Sequence, residues 1–272
     1  MAEPVGFFTD SSICIGCKAC EVACKEWNQL PGNAPSWGDG FDNTKQLDGE
    51  NWRHVKFIDQ VPDAPALEGN GAAWLMMSDV CKHCQNAACM EVCPTDAIIR
   101  TEFDTVYIQP SVCNGCRDCI SACPYGVIGM SAQNGDAQIG VAKKCTLCYD
   151  RLQANMTPAC AKVCPTQSIQ FGTLSDLHAK ADARLAALQA QGQNTAQLYG
   201  RDASVYGGLN SFFLLMDKPE RYGFPNAQNA VLPRRNNVKS YVAAFLAAAI
   251  GVFAGVKALG APADGETSAG EK

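Results

Sequence analysis

The chain of 272 residues lacks the usual signatures of an enzyme. It has no G-x-G-x-x-G, no P-loop and no nucleophile set beside a base, so nothing in it reads as a site where a substrate is transformed. No block of lysine and arginine is present to track a nucleic-acid backbone, and the net charge is −5. Charged residues are only 18%, low for a freely soluble domain, which points to a surface covered by partners, with part of the deficit due to an apolar C-terminal stretch. The opening MAEPVGFFTD has neither the basic n-region nor the apolar h-region of a secretory signal. Histidine is scarce and scattered, at His54, His83 and His178.

Cysteine, by contrast, is abundant and ordered. The sixteen cysteines form four groups with none left over: Cys14-Cys17-Cys20-Cys24, Cys81-Cys84-Cys89-Cys93, Cys113-Cys116-Cys119-Cys123 and Cys145-Cys148-Cys160-Cys164. Each group opens with C-x-x-C and closes with C-x-x-x-C. A 4Fe–4S cluster needs four converging thiolates; C-x-x-C-x-x-C wraps three around one cluster, and a cysteine three residues on, usually followed by proline, serves a second cluster. Groups one and three have this run. Group three ends in Pro124, whereas group one has Lys25 in that place. Group two has two extra residues before Cys89 and ends in Pro94; group four has a long loop before Cys160 and ends in Pro165. Competing readings fit less well. Disulfides suit short secreted chains, zinc takes two separated C-x-x-C pairs, and a redox C-x-x-C would occur once. The expected cofactors are four 4Fe–4S clusters, and the chain reads as a relay for electrons.

Strand patterns indicate how the groups pair. Residues 5–9 (VGFFT) precede group one and residues 168–172 (SIQFG) follow group four; residues 74–77 precede group two and residues 127–130 follow group three. In a two-cluster ferredoxin fold the strand before the first motif pairs with the strand after the second, and short apolar runs of this kind read as strands. The segment AIIRTEFDTVYI reads as a hairpin turning near residues 102–104. The fold class is therefore α+β, with two nested ferredoxin-like modules: an outer one from 1–24 plus 140–173 and an inner one from 74–139. The ligand sets follow: Cys14, Cys17, Cys20 and Cys164; Cys24, Cys145, Cys148 and Cys160; Cys81, Cys84, Cys89 and Cys123; Cys93, Cys113, Cys116 and Cys119.

The remaining segments divide by composition. Residues 25–73 form an insertion whose first part reads as loop; its tryptophans, together with Trp74, either shield a cluster from water or fill ordinary core. His83, inside the second motif, either packs or donates a hydrogen bond near a cluster sulfur. Residues 174–192 form a helix, with Leu174, Leu177, Ala181, Leu185 and Leu188 on one face and Gly192 at its end. Residues 193–237 read as an extended arm lying on another subunit. Residues 238–259 reach about 33 Å as a helix, enough for a single transmembrane span, against the alternative of a buried soluble helix. Residues 260–272 read as a disordered tail.

The motifs SICIGCKACEVACKEWN and KCTLCYDR…PACAKVCPTQSIQFGT, the helix that follows, FFLLMDKPERYGFP and the terminal apolar stretch together resemble the iron–sulfur (beta) subunit of membrane-bound respiratory formate dehydrogenase. The cysteine motifs are shared with the equivalent subunits of other molybdopterin reductases and of some hydrogenases. The resemblance implies a catalytic molybdopterin (alpha) subunit containing molybdenum or tungsten, a membrane cytochrome b (gamma) subunit passing electrons to quinone, and no substrate of the chain's own. It implies that the cluster of the Cys14 group faces the catalytic subunit and that of the Cys145 group faces the haem, and it carries the same nested ligand pattern. It also implies a cytoplasmic-membrane location with the cluster domain on the periplasmic side. The positive-inside rule, applied to Arg234, Arg235 and Lys239, would instead leave that domain in the cytoplasm; the charge rule is weak for a large preceding domain, and the periplasmic reading is adopted.

Overall fold

Short apolar runs and cysteine loops alternate along the chain, so its elements are short and the loops between them are closed by side-chain chemistry. The computed structural model describes residues 3–32, 42, 44, 46–58, 74–133, 136–225 and 238–259. In chain order the elements are β1 (Val5–Asp10), α1 (Ala19–Asn28), β2 (Arg53–Ile58), β3 (Leu75–Val80), α2 (Ala88–Glu91), β4 (Ile98–Arg100), β5 (Val106–Ile108), α3 (Asp118–Ala122), β6 (Gly129–Gln133) and β7 (Asp136–Lys143). They continue with α4 (Tyr149–Gln153), α5 (Ala159–Val163), β8 (Ile169–Thr173), α6 (Leu174–Ala190), β9 (Gln197–Tyr199), β10 (Ser211–Leu215) and α7 (Val238–Leu259). The mixture of small sheets and short helices fits ferredoxin-like modules. Two compact units are distinguished, Met1–Ala230 and Val231–Lys272.

The principal sheet of the first unit has the order β8-β1-β10-β9. The strand before group one and the strand after group four pair antiparallel, with Val5 opposite Thr173 and Thr9 opposite Ile169. On its other side β1 pairs in parallel with β10, Phe7 opposite Ser211. A strand held on both edges and covered on both faces favours an apolar centre: Phe7 and Phe8 are fully buried, while Thr9 and Asp10 at its end are buried polar residues. The Phe8 ring stacks on Phe212 with centroids 5.4 Å apart. α6 follows β8 directly. The Thr173 hydroxyl accepts from the Asp176 backbone N–H, an N-cap worth about 1 kcal/mol. Leu177, Ala181 and Leu188 of α6 face the core. Its end is marked by Gly192 at φ +85°, the left-handed position that favours glycine.

The inner strands depart from the expected pairing. The strand before group two does not meet the one after group three. Instead β3 pairs with β2 from the insertion, Arg53 opposite Val80, and β6 pairs with β7, Gly129 opposite Lys143. The physical reason is local. The segment RHVKFI supplies a nearer apolar partner for β3. The dipeptide Asn134-Gly135, outside the described residues, favours the tight hairpin that brings β7 back onto β6. The hairpin β4–β5 forms where AIIRTEFDTVYI places it, with Asp104 left-handed in the turn at φ +63°.

The arm expected to lie on another subunit is in large part core. β10 (SFFLL) is buried along its whole length, and its neighbour residues 206–211 run along the second cysteine motif. Gln85 N–H donates to Gly208 O at 2.9 Å, Asn86 N–H to Tyr206 O at 2.7 Å, and Ser211 N–H to Lys82 O at 3.0 Å. The segment thus joins the outer sheet to group two. Residues 226–237 of the expected arm, the tail 260–272 and Trp37 lie outside the described residues. Trp27 and Trp74 are exposed rather than packed around a cluster, and the half-buried Trp52 donates to Gly49 O.

The last helix occupies the boundaries anticipated for a membrane span, 238–259. Among the described residues no helix is long and apolar enough to cross a membrane.

Because β10 is core, Phe213→Ala is expected to lower the stability of the cluster-loaded subunit by about 3–5 kcal/mol, read as a drop in its thermal midpoint. An arm that lay only on a partner would leave the isolated subunit's unfolding unchanged.

Candidate cluster-binding sites

The four C-x-x-C loops share one backbone device. The residue before the second cysteine is left-handed in each: Gly16 at φ +65°, His83 at +45°, Gly115 at +74° and Leu147 at +58°. This turn curls the loop so that successive sulfurs face one centre. Glycine adopts it freely, whereas an ordinary residue there costs about 1–2 kcal/mol. The crossing cysteines have a device of their own. Pro94, Pro124 and Pro165 follow Cys93, Cys123 and Cys164, and two residues beyond each proline stands another left-handed residue, Asp96, Gly126 or Gln167. α2, α3 and α5 all end before their proline. Group one has Lys25 there instead, and α1 runs on to Asn28, since nothing removes the next backbone N–H.

All sixteen cysteines are free of disulfides. One cavity is lined by Cys14, Cys17, Cys20 and Cys164, a second by Cys81, Cys84, Cys89 and Cys123, and a third by Cys93, Cys113, Cys116 and Cys119. No such cavity unites the fourth set, but Cys24 lies within electrostatic reach of Cys145, Cys160 and Cys148. Three of the expected sets thus line one cavity each. Among the described residues no group of three histidine, cysteine or acidic side chains stands close enough to hold a single metal ion.

These donors fit a 4Fe–4S cluster. Each set is all sulfur, and in the three cavities the exposed lining is mostly apolar, with Ile169, Val127 or Ile98 beside the cysteines and Lys18, Lys82, Lys144 or Arg117 also in the lining. A buried polar atom is also left over: His83 Nδ1 accepts from the Val106 N–H at 3.1 Å, so Nε2 carries the proton, and it has no protein partner although His83 lines the Cys81 cavity. Burial pushes the His83 imidazolium well below the usual histidine range. Burial also pushes the thiols up, to about 12 for Cys20, Cys89, Cys145 and Cys148 and well above the ordinary value for Cys24 and Cys84. Cys93 is the opposite case. Its slight burial is outweighed by the backbone N–H groups of Thr95, Ile98 and Ala97 and by the Thr95 hydroxyl, which hold it below the ordinary range.

Sulfurs of different sets are close enough to act on one another: Cys160 on Cys20, Cys81 on Cys145, and Cys119 on Cys89. These links join the Cys14 set to the Cys145 set, that set to the Cys81 set, and that one to the Cys113 set. The Cys145 group, expected at an outer end, lies inside the series, because its sulfurs neighbour both Cys20 and Cys81. Only Cys17 and Cys116 are exposed, and they belong to the two end sets.

Charged side chains not anticipated from the motifs occupy the interior. Arg53 is buried between Cys20 and Cys160. Lys82 pairs with Asp79, and Lys56 reaches the same carboxylate at 2.9 Å. Burial would raise the Asp79 carboxyl, but the two ammonium groups hold it at about 2. The Lys82 ammonium also lies over the rings of Phe224 at 4.5 Å, Tyr125 at 4.8 Å and Phe213 at 5.2 Å, which fastens β10 to the Cys123 loop. The available signal was a charged residue interrupting an apolar strand pattern, as in RHVKFI.

Two family profiles, each described as a 4Fe–4S dicluster domain, match residues 13–97 and 72–174. The chain is 36% identical over 227 residues to the formate dehydrogenase-O iron–sulfur subunit of Escherichia coli (strain K12), covering 82% of this chain and 71% of that protein. It is 37% identical over 221 residues to the formate dehydrogenase iron–sulfur subunit of Haemophilus influenzae, covering 79% and 67%. A polypeptide of the anaerobic dimethyl sulfoxide reductase of Escherichia coli (strain K12) is 34% identical over 180 residues, covering 66% and 78%.

Gly115→Ala is expected to lose one cluster. Its φ is +74°, and an added Cβ would stand 2.6 Å from Gly140 O, a backbone atom that cannot swing aside. The iron held by this chain should fall from four clusters to three, about a quarter, read by EPR of the purified complex as the loss of one cluster signal.

Proposed function

Because the chain belongs to the family of formate dehydrogenase iron–sulfur subunits, we propose that it relays electrons from a formate-oxidising molybdopterin subunit, holding molybdenum or tungsten, to a membrane cytochrome b and thence to quinone. It is an electron-transfer subunit with four 4Fe–4S clusters and no catalytic site of its own. When bound, each cluster takes up and returns one electron without making or breaking a bond. The chain's own residues hold the clusters, space them and keep water away.

The proposed ligand sets are the four named above, with Cys164, Cys24, Cys123 and Cys93 as the crossing ligands. The observation that carries the function is the series of sulfur sets linked by neighbouring cysteines, with the exposed cysteines Cys17 and Cys116 in the first and last of them. Electrons enter and leave a relay where a partner can approach, and interior stations gain from exclusion of solvent. On this reading the Cys14 set meets the catalytic subunit and the Cys113 set, not the Cys145 set, meets the haem.

The proposed outer module is extended by β9 and β10, and the inner one by β2 and by the whole of β7, which crosses the boundary at residue 139. The membrane attachment is assigned to α7. Its backbone is helical over 22 residues, and 242–256 contains no polar side chain, so it has no face that prefers water. The cluster domain is placed on the periplasmic side of the cytoplasmic membrane. Protease added to spheroplasts is expected to digest it, and a protected domain would reverse the assignment.

Purification in mild detergent is expected to recover a molybdopterin subunit that reduces an artificial acceptor with formate. Recovery of a dimethyl sulfoxide or other reductase instead would move the chain to a sister complex. Cys164→Ala is expected to remove the EPR signal of the Cys14 set and spare that of the Cys145 set. The reverse pattern would refute the crossing assignment.

A further inference from the structure

Arg53 is one of the most deeply buried side chains of the molecule, 2% exposed, and among the described residues no carboxylate pairs with it. Its guanidinium Nη2 donates to Cys160 Sγ at 3.1 Å. Nη1 donates to Ser78 Oγ at 3.3 Å and, more weakly, to Ser78 O at 3.5 Å. Ser78 Oγ lies 3.2 Å from Cys20 Sγ. Since Ser78 Oγ accepts from arginine, its own proton is free to point at the Cys20 sulfur. The guanidinium carbon lies 4.8 Å from the centroid of the Phe7 ring, and Nε has no partner among the described residues. Every charge that dominates its surroundings is a sulfur: Cys160, Cys20, Cys145 and Cys24.

A buried cation without a counter-ion is costly, by several kcal/mol. The nearest groups able to compensate it are the thiolates of two different ligand sets. Lys82 makes the contrast plain, because Asp79 already neutralises it. Arginine does not escape the cost by losing its proton.

Resting on the ligand sets proposed above, we propose that Arg53 is a positioning residue shared by the clusters of the Cys14 and Cys145 sets, bonded directly to the Cys160 ligand and through Ser78 to the Cys20 ligand, and that its fixed charge raises the reduction potential of both. The electron balance is simple. Each reduction adds one electron and one negative charge, no bond forms or breaks, and a nearby fixed cation stabilises the reduced form more than the oxidised one. Hydrogen bonds to the sulfurs act in the same direction. The arrangement couples the first two stations of the relay, since one group favours an electron on either.

The test is potentiometric EPR of the intact, cluster-loaded complex carrying Arg53→Gln, Arg53→Lys or Ser78→Ala. Arg53→Gln is expected to lower the potentials of the Cys14-set and Cys145-set clusters by at least tenfold in the reduction equilibrium, about 59 mV for one electron, and to leave the other two clusters in place. Arg53→Lys should recover most of that shift, and Ser78→Ala should move the Cys14-set cluster alone. Unmoved potentials at wild-type iron content, a shift in one signal only, or an equal shift in all four would overturn the proposal. If Arg53→Gln fails to assemble, Ser78→Ala decides: a shift confined to the Cys14-set cluster supports it and no shift overturns it. The ligand sets themselves fail separately, through the Cys164→Ala result.

Discussion

The structure depends on one constraint: a loop of three sulfurs cannot close a cluster, so each must borrow a fourth from another part of the chain. Cys164 comes to the Cys14 loop and Cys24 to the Cys145 loop, and this brings the first and last thirds of the cluster domain together. The pairing of β1 with β8 is the same demand expressed in the backbone, since the strands leave the loops whose sulfurs must meet. The prolines after Cys93, Cys123 and Cys164 stop each short helix at the point where its last sulfur must leave for the neighbouring set. Where Lys25 replaces the proline, α1 runs on, and the chain departs into the insertion that supplies β2 and Arg53.

Burial sets the second condition. A thiol in an apolar cavity resists losing its proton, and the upward displacement of Cys24, Cys84 and Cys145 shows how unfavourable bare thiolates would be there. The charge of bound iron offsets that penalty, which couples cluster loading to the burial of the cysteine loops. The protein's cations serve distinct ends within this scheme. Lys82 is neutralised by Asp79 and caged by aromatic rings, so it acts as a fastener between the two modules. Arg53 is not neutralised by the protein, and its charge acts on the sulfurs.

The sites were more legible than the architecture around them. Cysteine spacing is a local property with a rigid chemical meaning, and strand runs on either side of it distinguish nested from sequential pairing. The same reasoning failed for β3 and β6 because it asked only about strands adjacent to motifs. RHVKFI competes as an apolar partner, and Asn134-Gly135 is a hairpin signal between the two. SFFLL is a short unbroken apolar run, which is as consistent with a fully covered strand as with a contact arm. Its Gly- and aromatic-rich surroundings with little periodicity favour the arm, and only the pairing of β10 with β1 decides for the strand. Arg53 was invisible for a different reason: a single arginine in a strand carries no motif, and its meaning comes from two sulfurs distant in sequence.

The recruitment of β10 explains how the two modules become one relay. Nested ferredoxin motifs fix distances within a module but not between modules. The interval between the Cys145 and Cys81 sets has to be held by something else. Residues 206–211 run along the Cys81 loop while the next residues enter the outer sheet beside β1, and Lys82 sits under aromatic rings from both sides. A shift of that segment would move Cys81 relative to Cys145, and electron transfer is sensitive to such distances in a way that simple stability is not. The segment is therefore buried, hydrogen-bonded and aromatic, while the two end sets, whose spacing to their partners is set elsewhere, leave Cys17 and Cys116 open at the surface.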